Sequence, residues 1–230
     1  MKTTLITGAN RGIGLEFVRQ YAADGWRVLA CGRHPEKSDT LNALAARYPE
    51  RIEVHTLDVT DHAQIERLAQ SLADESIDLL VNNAGIYTSS HKDDNIDYEA
   101  WAHAFLVNTM ASMKMAQAFG AQVARSNQKT IVAISSKMGS IEDNSGGGSY
   151  IYRSSKAAVN MVVKSLAIDL KPAGVIVVVL HPGWVQTEMG GPNALISTTQ
   201  SVSGMRHVID HLTLAVSGKF FAYDGRTIPW

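Results

Sequence analysis

The stretch Thr7-Gly8-Ala9-Asn10-Arg11-Gly12-Ile13-Gly14 follows a short apolar run and opens a segment with Leu15, Val18 and Ala22 on one helical stripe. Glycines at 8, 12 and 14 let the backbone turn sharply and approach a pyrophosphate closely. The helix start behind them offers unpaired N–H groups and a partial positive charge. The spacing is Gly-x-x-x-Gly-x-Gly rather than the Gly-x-Gly-x-x-Gly of many dinucleotide sites. A tight strand-to-helix connection would use glycine in the same way. Its position after the first strand of an alternating chain favours the cofactor cradle.

Outward from that turn, apolar runs recur at 3–7, 27–31, 52–57, 78–81, 130–134 and 175–180, with a weaker one at 219–222. They are rich in Val, Ile and Leu and lack strict alternation, the pattern of strands covered on both faces. Between them, Ile65, Leu68, Ala69 and Leu72 mark a helix over 63–72. Strands alternating with helices predict right-handed crossovers and a parallel sheet. The expected fold is α/β, a Rossmann-type doubly wound parallel sheet of about seven strands with helices on both faces. It forms one domain over 1–230, with a cofactor half at about 1–125 and a catalytic and substrate half at about 126–230. Helices at 98–123 and 152–170 are apolar around much of their circumference, through Met110, Met113, Met115, Met161, Val162 and Ile168. Their outer faces are expected to pair with a second copy in a homodimer or homotetramer.

The 230 residues carry 21 Lys plus Arg against 22 Asp plus Glu. That balance offers no nucleic-acid footprint and no polybasic membrane anchor. No apolar stretch reaches the ~20 residues of a membrane span, no signal-peptide core is evident, and no metal site is expected. The single cysteine, Cys31, lies in an apolar run and is read as a small buried side chain. A reduced, cytoplasmic protein is the expectation.

The end of the second strand decides the cofactor. A domain that binds NAD usually has an acidic residue there for the ribose 2′-hydroxyl. Here the run is Cys31-Gly32-Arg33-His34, and the first carboxylate, Glu36, comes late. Arg33, helped by Arg11, suits a 2′-phosphate. NADP(H) is expected over NAD(H).

Further along, Tyr152-Arg153-Ser154-Ser155-Lys156 places a phenol and an ammonium four residues apart, on one helix face. A phenol of pKa about 10 is a poor catalyst at neutral pH, and a nearby positive charge draws it down. Tyr150 competes poorly, because four residues beyond it stands Ser154.

Together these residues resemble the short-chain dehydrogenase/reductase family over nearly the whole chain. The likeness rests on TGANRGIG at 7–14, Asp58-Val59, NNAG at 82–85, Asn108, Ser136, Tyr152 with Lys156, and HPGWVQT at 181–187. The resemblance is closest to the C-factor-like and Sniffer-like carbonyl reductases, through SSKMGSI at 135–141, YRSSKAAVN at 152–160 and YDGRTIPW at 223–230. It implies that Gly8, Asn10, Arg11, Gly12, Ile13 and Gly14 hold the pyrophosphate end, with Arg33 at the 2′-phosphate. Asp58 and Val59 would meet the adenine, and Asn83, Ala84 and Gly85 would support the strand edge and ribose. Pro182, Gly183, Val185 and Thr187 would hold the nicotinamide.

It further implies that Ser136 donates to the substrate carbonyl and Tyr152 transfers the proton. Lys156 would tune Tyr152 and hold the ribose, and Asn108 would anchor a water leading to solvent. Ser135 and Ser140 are rivals for the serine role. Met138, Ile141, Tyr87, Trp184 and Met189 are the candidate substrate-pocket residues, suited to a small hydrophobic aldehyde or ketone. The segment 188–203, rich in Gly, Ser and Thr, is expected to form a small lid. The implied activity is NADPH-dependent carbonyl reduction. The alternative is an NADP(H)-binding signalling protein of C-factor type, and a sugar-nucleotide epimerase or dehydratase is disfavoured by the short chain.

Overall fold

The computed structural model describes residues 1–88 and 96–230. Seven strands form one parallel sheet: β1 (Thr3–Thr7), β2 (Arg27–Gly32), β3 (Ile52–Thr56), β4 (Leu79–Asn82), β5 (Thr130–Ile134), β6 (Ile176–His181) and β7 (Phe220–Ala222). Their order is β3-β2-β1-β4-β5-β6-β7, and every pairing is parallel. The order reverses at β1, which lies between β2 and β4, so the carboxyl ends of β1 and β4 open a crevice.

Both sheet faces are apolar, which explains the unbroken hydrophobic runs. Leu5, Leu29, Leu80, Ile131 and Val177 point into one core layer, while their neighbours Ile6, Val28, Val81, Val132 and Val178 point into the other. The first layer is closed by α3 (His62–Ser71), α5 (Ala111–Ala124) and α6 (Tyr150–Asp169), through Ile65, Phe119 and Val159. The second is closed by α1 (Gly12–Ala23), α2 (Asp39–Arg47) and α7 (Thr198–Asp210), through Phe17, Leu41 and Met205. Asp61 caps α3 by accepting a bond from the Gln64 N–H at 2.9 Å. Among the described residues no helix is long and apolar enough to cross a membrane.

Two expectations change. The helix expected over 98–123 is one continuous run, but a π-helical turn at Leu106–Met110 divides it into α4 (Tyr98–Phe105) and α5. The hydrophobic period runs through this turn, so the extra residue leaves no mark on it. Of the segment 188–203, expected as a lid, part is regular helix. Its last third is the start of α7, capped by Ser197, whose hydroxyl accepts from the Gln200 N–H at 3.1 Å. Val202, Met205 and Val208 at helical spacing carried that signal beneath a Ser- and Gly-rich surface.

Candidate active site

The glycine turn is built by close approach. Gly8 and Gly12 have positive φ, +65° and +55°. At Gly14 a Cβ would stand 2.1 Å from the Gly8 carbonyl oxygen and 2.6 Å from Asn83 Nδ2, so only hydrogen fits there. Asn83 Nδ2 donates to the Thr7 and Gly8 carbonyls at 2.9 and 3.2 Å. The Asn83 and Ala84 N–H groups donate to Thr7 Oγ1, each at 3.0 Å. Asn83 thus ties the ends of β1 and β4 together, and no side chain caps the start of α1. Its first-turn N–H groups remain for an anion.

A cleft of about 1040 Å³ runs from this turn along the carboxyl edge of the sheet. Gly8, Asn10, Arg11, Gly12, Ile13 and Gly14 line it at the turn, and Arg33, Asp58 and Val59 line one end. Asn83, Ala84 and Gly85 form its wall, with Tyr152, Lys156, Pro182, Thr187 and Met189 toward the other end. Its volume, the glycine cradle and the uncapped helix fit a dinucleotide. Gly183 and Val185 shape the turn from behind. Gly183 has φ +86° with Ile196 and Tyr223 against it, and Val185 is buried.

Sequence reasoning missed one wall. Thr40, Ala43, Leu44 and Arg47 lie at i, i+3, i+4 and i+7 of α2 and face the cleft beside His34. The helical spacing was the available signal. Arg11 makes an ion pair with Glu188, spanning the cleft mouth with both side chains exposed.

Asp58 helps build its own loop. Its Oδ1 accepts from the Thr60 N–H at 2.9 Å and the Thr60 hydroxyl at 2.7 Å. Burial would raise its carboxyl, but these bonds, with the charges of Arg33 and His103, hold it below the usual range.

Around Tyr152 the four expected residues come together. Burial pushes the phenol up to about 12, against the pull of the nearby Ser136 hydroxyl, and the neighbouring Tyr87 adds to the rise. The Tyr87 and Tyr152 rings meet edge to face at 4.9 Å. Lys156 is brought down to about 8 by burial. Its Nζ donates to the Ile134 carbonyl at 2.9 Å and lies 5.8 Å from the Tyr152 ring centre. Burial is the largest influence on the phenol here, and Lys156 is not among the groups that lower it. The ammonium is turned toward a backbone carbonyl, and the low-dielectric surroundings penalise both charged forms.

Ser135 also lines the cleft, but the hydroxyls of both rival serines are engaged on main-chain oxygens. The Ser135 hydroxyl donates to the Lys156 carbonyl at 3.4 Å, and the Ser140 hydroxyl donates to the Trp230 main-chain oxygen at 3.0 Å. Tyr150 is half-exposed.

Asn108 sits buried in the π-helical turn. Its Oδ1 accepts from the Ile86 N–H at 2.8 Å, and its Nδ2 donates to the Ile86 carbonyl and Ser155 Oγ at 3.0 and 2.9 Å. Both amide donors are thereby used. A Cβ at Gly85 would lie 3.3 Å from Asn108 Oδ1 and 3.4 Å from Lys156 Nζ, so this glycine leaves room for both groups.

The substrate candidates divide. Tyr87 covers Tyr152, and Met189 lines the main cleft. Trp184 is half-exposed, its Nε1 donating to the Gly190 carbonyl at 2.8 Å. Met138 and Ile141 line a second cleft of about 220 Å³.

A family model described as short chain dehydrogenase matches residues 2–195. Among curated proteins, C-signal of Myxococcus xanthus is 42% identical over 154 residues, covering 67% of this chain and 93% of its own length. Among solved structures, an NADPH-bound carbonyl reductase from chicken fatty liver matches with TM-score 0.93 at 34% identity. It covers 100% of this chain and 99% of that one. Carbonyl reductase Sniffer of D. melanogaster matches with TM-score 0.94 at 30% identity, covering 100% of both chains.

Proposed function

The chain belongs to the short-chain dehydrogenase family, and from that premise we propose that it reduces the carbonyl of a small aldehyde or ketone with NADPH. The observation that carries this reading is the buried Tyr152 phenol with Ser136 and Lys156 beside it, at the edge of the large glycine-cradled cleft. Bound cofactor supplies the hydride to the carbonyl carbon. Charge then gathers on the carbonyl oxygen, where the Ser136 hydroxyl donates and Tyr152 delivers its proton. Lys156 holds the ribose and returns a proton to the phenol, and Asn108, its amide engaged by Ile86 and Ser155, keeps the Gly85–Ile86 segment against α6. Pro182, Gly183, Val185 and Thr187 hold the nicotinamide. Of the substrate candidates, Tyr87 and Met189 stand at the substrate end of the main cleft, while Met138 and Ile141 line the second cleft and Trp184 lines neither.

NADP(H) follows from the same cleft. Arg33 faces it and no acidic residue ends β2. The chicken carbonyl reductase is NADPH-bound, which supports the choice. A 2′-phosphate paired with Arg33 contributes about 1.5–3 kcal/mol, or roughly tenfold to a hundredfold in affinity. Arg33→Asp is expected to weaken NADPH by about that factor while NADH changes by less than about threefold, read by fluorescence titration. An unchanged preference would remove Arg33 from the 2′-phosphate site.

The activity itself is tested by NADPH oxidation over a panel of aldehydes, ketones and diketones. Turnover of none of them favours the second reading, an NADP(H)-binding signalling protein, to which the likeness to C-signal points. The retained Ser136, Tyr152 and Lys156 argue for catalysis, because a pure binder needs no proton donor.

The chain is further proposed to act as a homodimer or homotetramer in the cytoplasm. Tyr98, Leu106 and Met110 on one helical run, and Tyr150, Met161 and Ile168 on α6, expose apolar side chains that a second copy would cover. Light scattering at micromolar concentration is expected to give at least twice the chain mass, and a monomer would reject this interface. The lone cysteine, buried and unpaired with its thiol pushed up by burial, suits a reducing compartment.

A further inference from the structure

The last eight residues turn back along the sheet edge and reach the loop that carries Ser136. The Ala222 N–H donates to the Arg226 carbonyl at 2.7 Å, and the Ile228 N–H donates to the Phe220 carbonyl at 2.8 Å. Ile228 is buried in the core layer beneath β7, and the Trp230 ring stacks on Phe220 at 5.7 Å. This fixes the Trp230 main-chain oxygen, on which three donors converge: the Ser140 hydroxyl at 3.0 Å, the Ile141 N–H at 2.6 Å and the Glu142 N–H at 3.0 Å. Three donors on one oxygen leave it fully engaged.

The same loop is held from its other side. After Ser136 the chain makes one 3₁₀ turn, Lys137–Gly139, in which the Met138 N–H donates to Ser136 Oγ at 3.2 Å and the Gly139 N–H to the Ser136 carbonyl at 2.8 Å. Gly139 lies flat on α6, where a Cβ would stand 2.8 Å from the Lys156 carbonyl carbon. Its carbonyl accepts from buried Asn160 Nδ2 at 3.2 Å. Ser136 therefore stands at the head of a short rigid loop pinned by α6 on one side and by the tail on the other. The tail lies outside residues 2–195, which the family model matches.

We propose that residues 223–230 clamp the Ser136 loop, and that Trp230 is a positioning residue for carbonyl reduction, acting through Ser136. The proposal rests on the reading of Ser136 as the carbonyl-oxygen donor. A hydrogen-bond donor displaced by about 1 Å loses much of its effect on the transition state. The tail also fixes the loop bearing Met138 and Ile141.

The test pairs an activity-independent readout with a double-mutant cycle. In the wild type, the Ile141 and Glu142 amides are expected to be protected from hydrogen exchange. In Trp230→Ala, without the stack on Phe220, they exchange at least about tenfold faster, and Trp230→Phe restores protection. NADPH affinity stays within about twofold, because neither the tail nor residues 140–142 line the cofactor cleft. On a substrate turned over by the wild type, Trp230→Ala lowers kcat by about tenfold to a hundredfold, yet costs less than about threefold in a Ser136→Ala background. Unchanged exchange overturns the clamp. An equal loss of kcat in both backgrounds overturns the action through Ser136. A wild type that reduces no carbonyl compound removes the assigned reaction, and the exchange result still decides the clamp.

Discussion

Tyr152→Phe is expected to cut carbonyl turnover by about 10²–10⁴-fold while NADPH affinity stays within about twofold. The ring remains to pack against Tyr87, so only the hydroxyl is lost, and with it the proton donor beside Ser136. The pH profile gives a second handle on the same group. Reduction needs the phenol protonated and Lys156 positively charged. Burial takes the phenol up to about 12 and the ammonium down to about 8. Below pH 8 both groups hold their protons, so kcat/KM for reduction is expected to be flat there. It then falls by about tenfold per unit above pH 8 as Lys156 deprotonates, well before the phenol ionises. Equal turnover by Tyr152→Phe would remove Tyr152 as proton donor, and a profile flat to pH 10 would remove the charged Lys156.

Gly14→Ala is the second large effect. The added methyl carbon would enter the space of the Gly8 carbonyl oxygen, at 2.1 Å, and of Asn83 Nδ2, at 2.6 Å. The first of these is backbone and has no rotamer to give, so α1 must move away from β1. Overpacking of this kind costs about 1–3 kcal/mol, a fall of about 2–12 °C in Tm for a chain this long. NADPH binding is expected to fall at least about tenfold, since the displaced helix start is the anion site. Gly120→Ala is the control. It lies within α5 with nothing within 4 Å of the new carbon, and is expected to raise stability by about 0.5–1 kcal/mol. Thermal melting and fluorescence titration read both variants. Near-wild-type melting and NADPH affinity in Gly14→Ala would contradict the close approach.

Much of the fold was legible because a strand buried on both faces is a continuous apolar run. The strand at 3–7 and that at 130–134 were read with their observed bounds, and the other five shifted by a residue or so. The π-helical turn at Leu106–Met110 was not legible, since an inserted residue changes backbone pairing without changing which residues are apolar. Nor was the start of α7, where Ser197 caps a helix whose surface composition resembles a loop. In the site, spacing alone brought Tyr152 and Lys156 onto one face of α6. It said nothing of their surroundings, which bury both groups and disfavour both charged forms.

What the sequence determined by itself is local: the glycine turn at 7–14, the helical pairing of Tyr152 with Lys156, and the missing acid at the end of β2. Each depends on residues a few positions apart, whose geometry follows from backbone period and side-chain chemistry. Only the tertiary structure decided which serine faces Tyr152, that Arg11 meets Glu188, that Asn108 is spent on Ile86 and Ser155, and that Trp230 holds the loop after Ser136. Those contacts join residues far apart in the chain, and they exist because the parallel sheet brings the carboxyl ends of its strands to one edge.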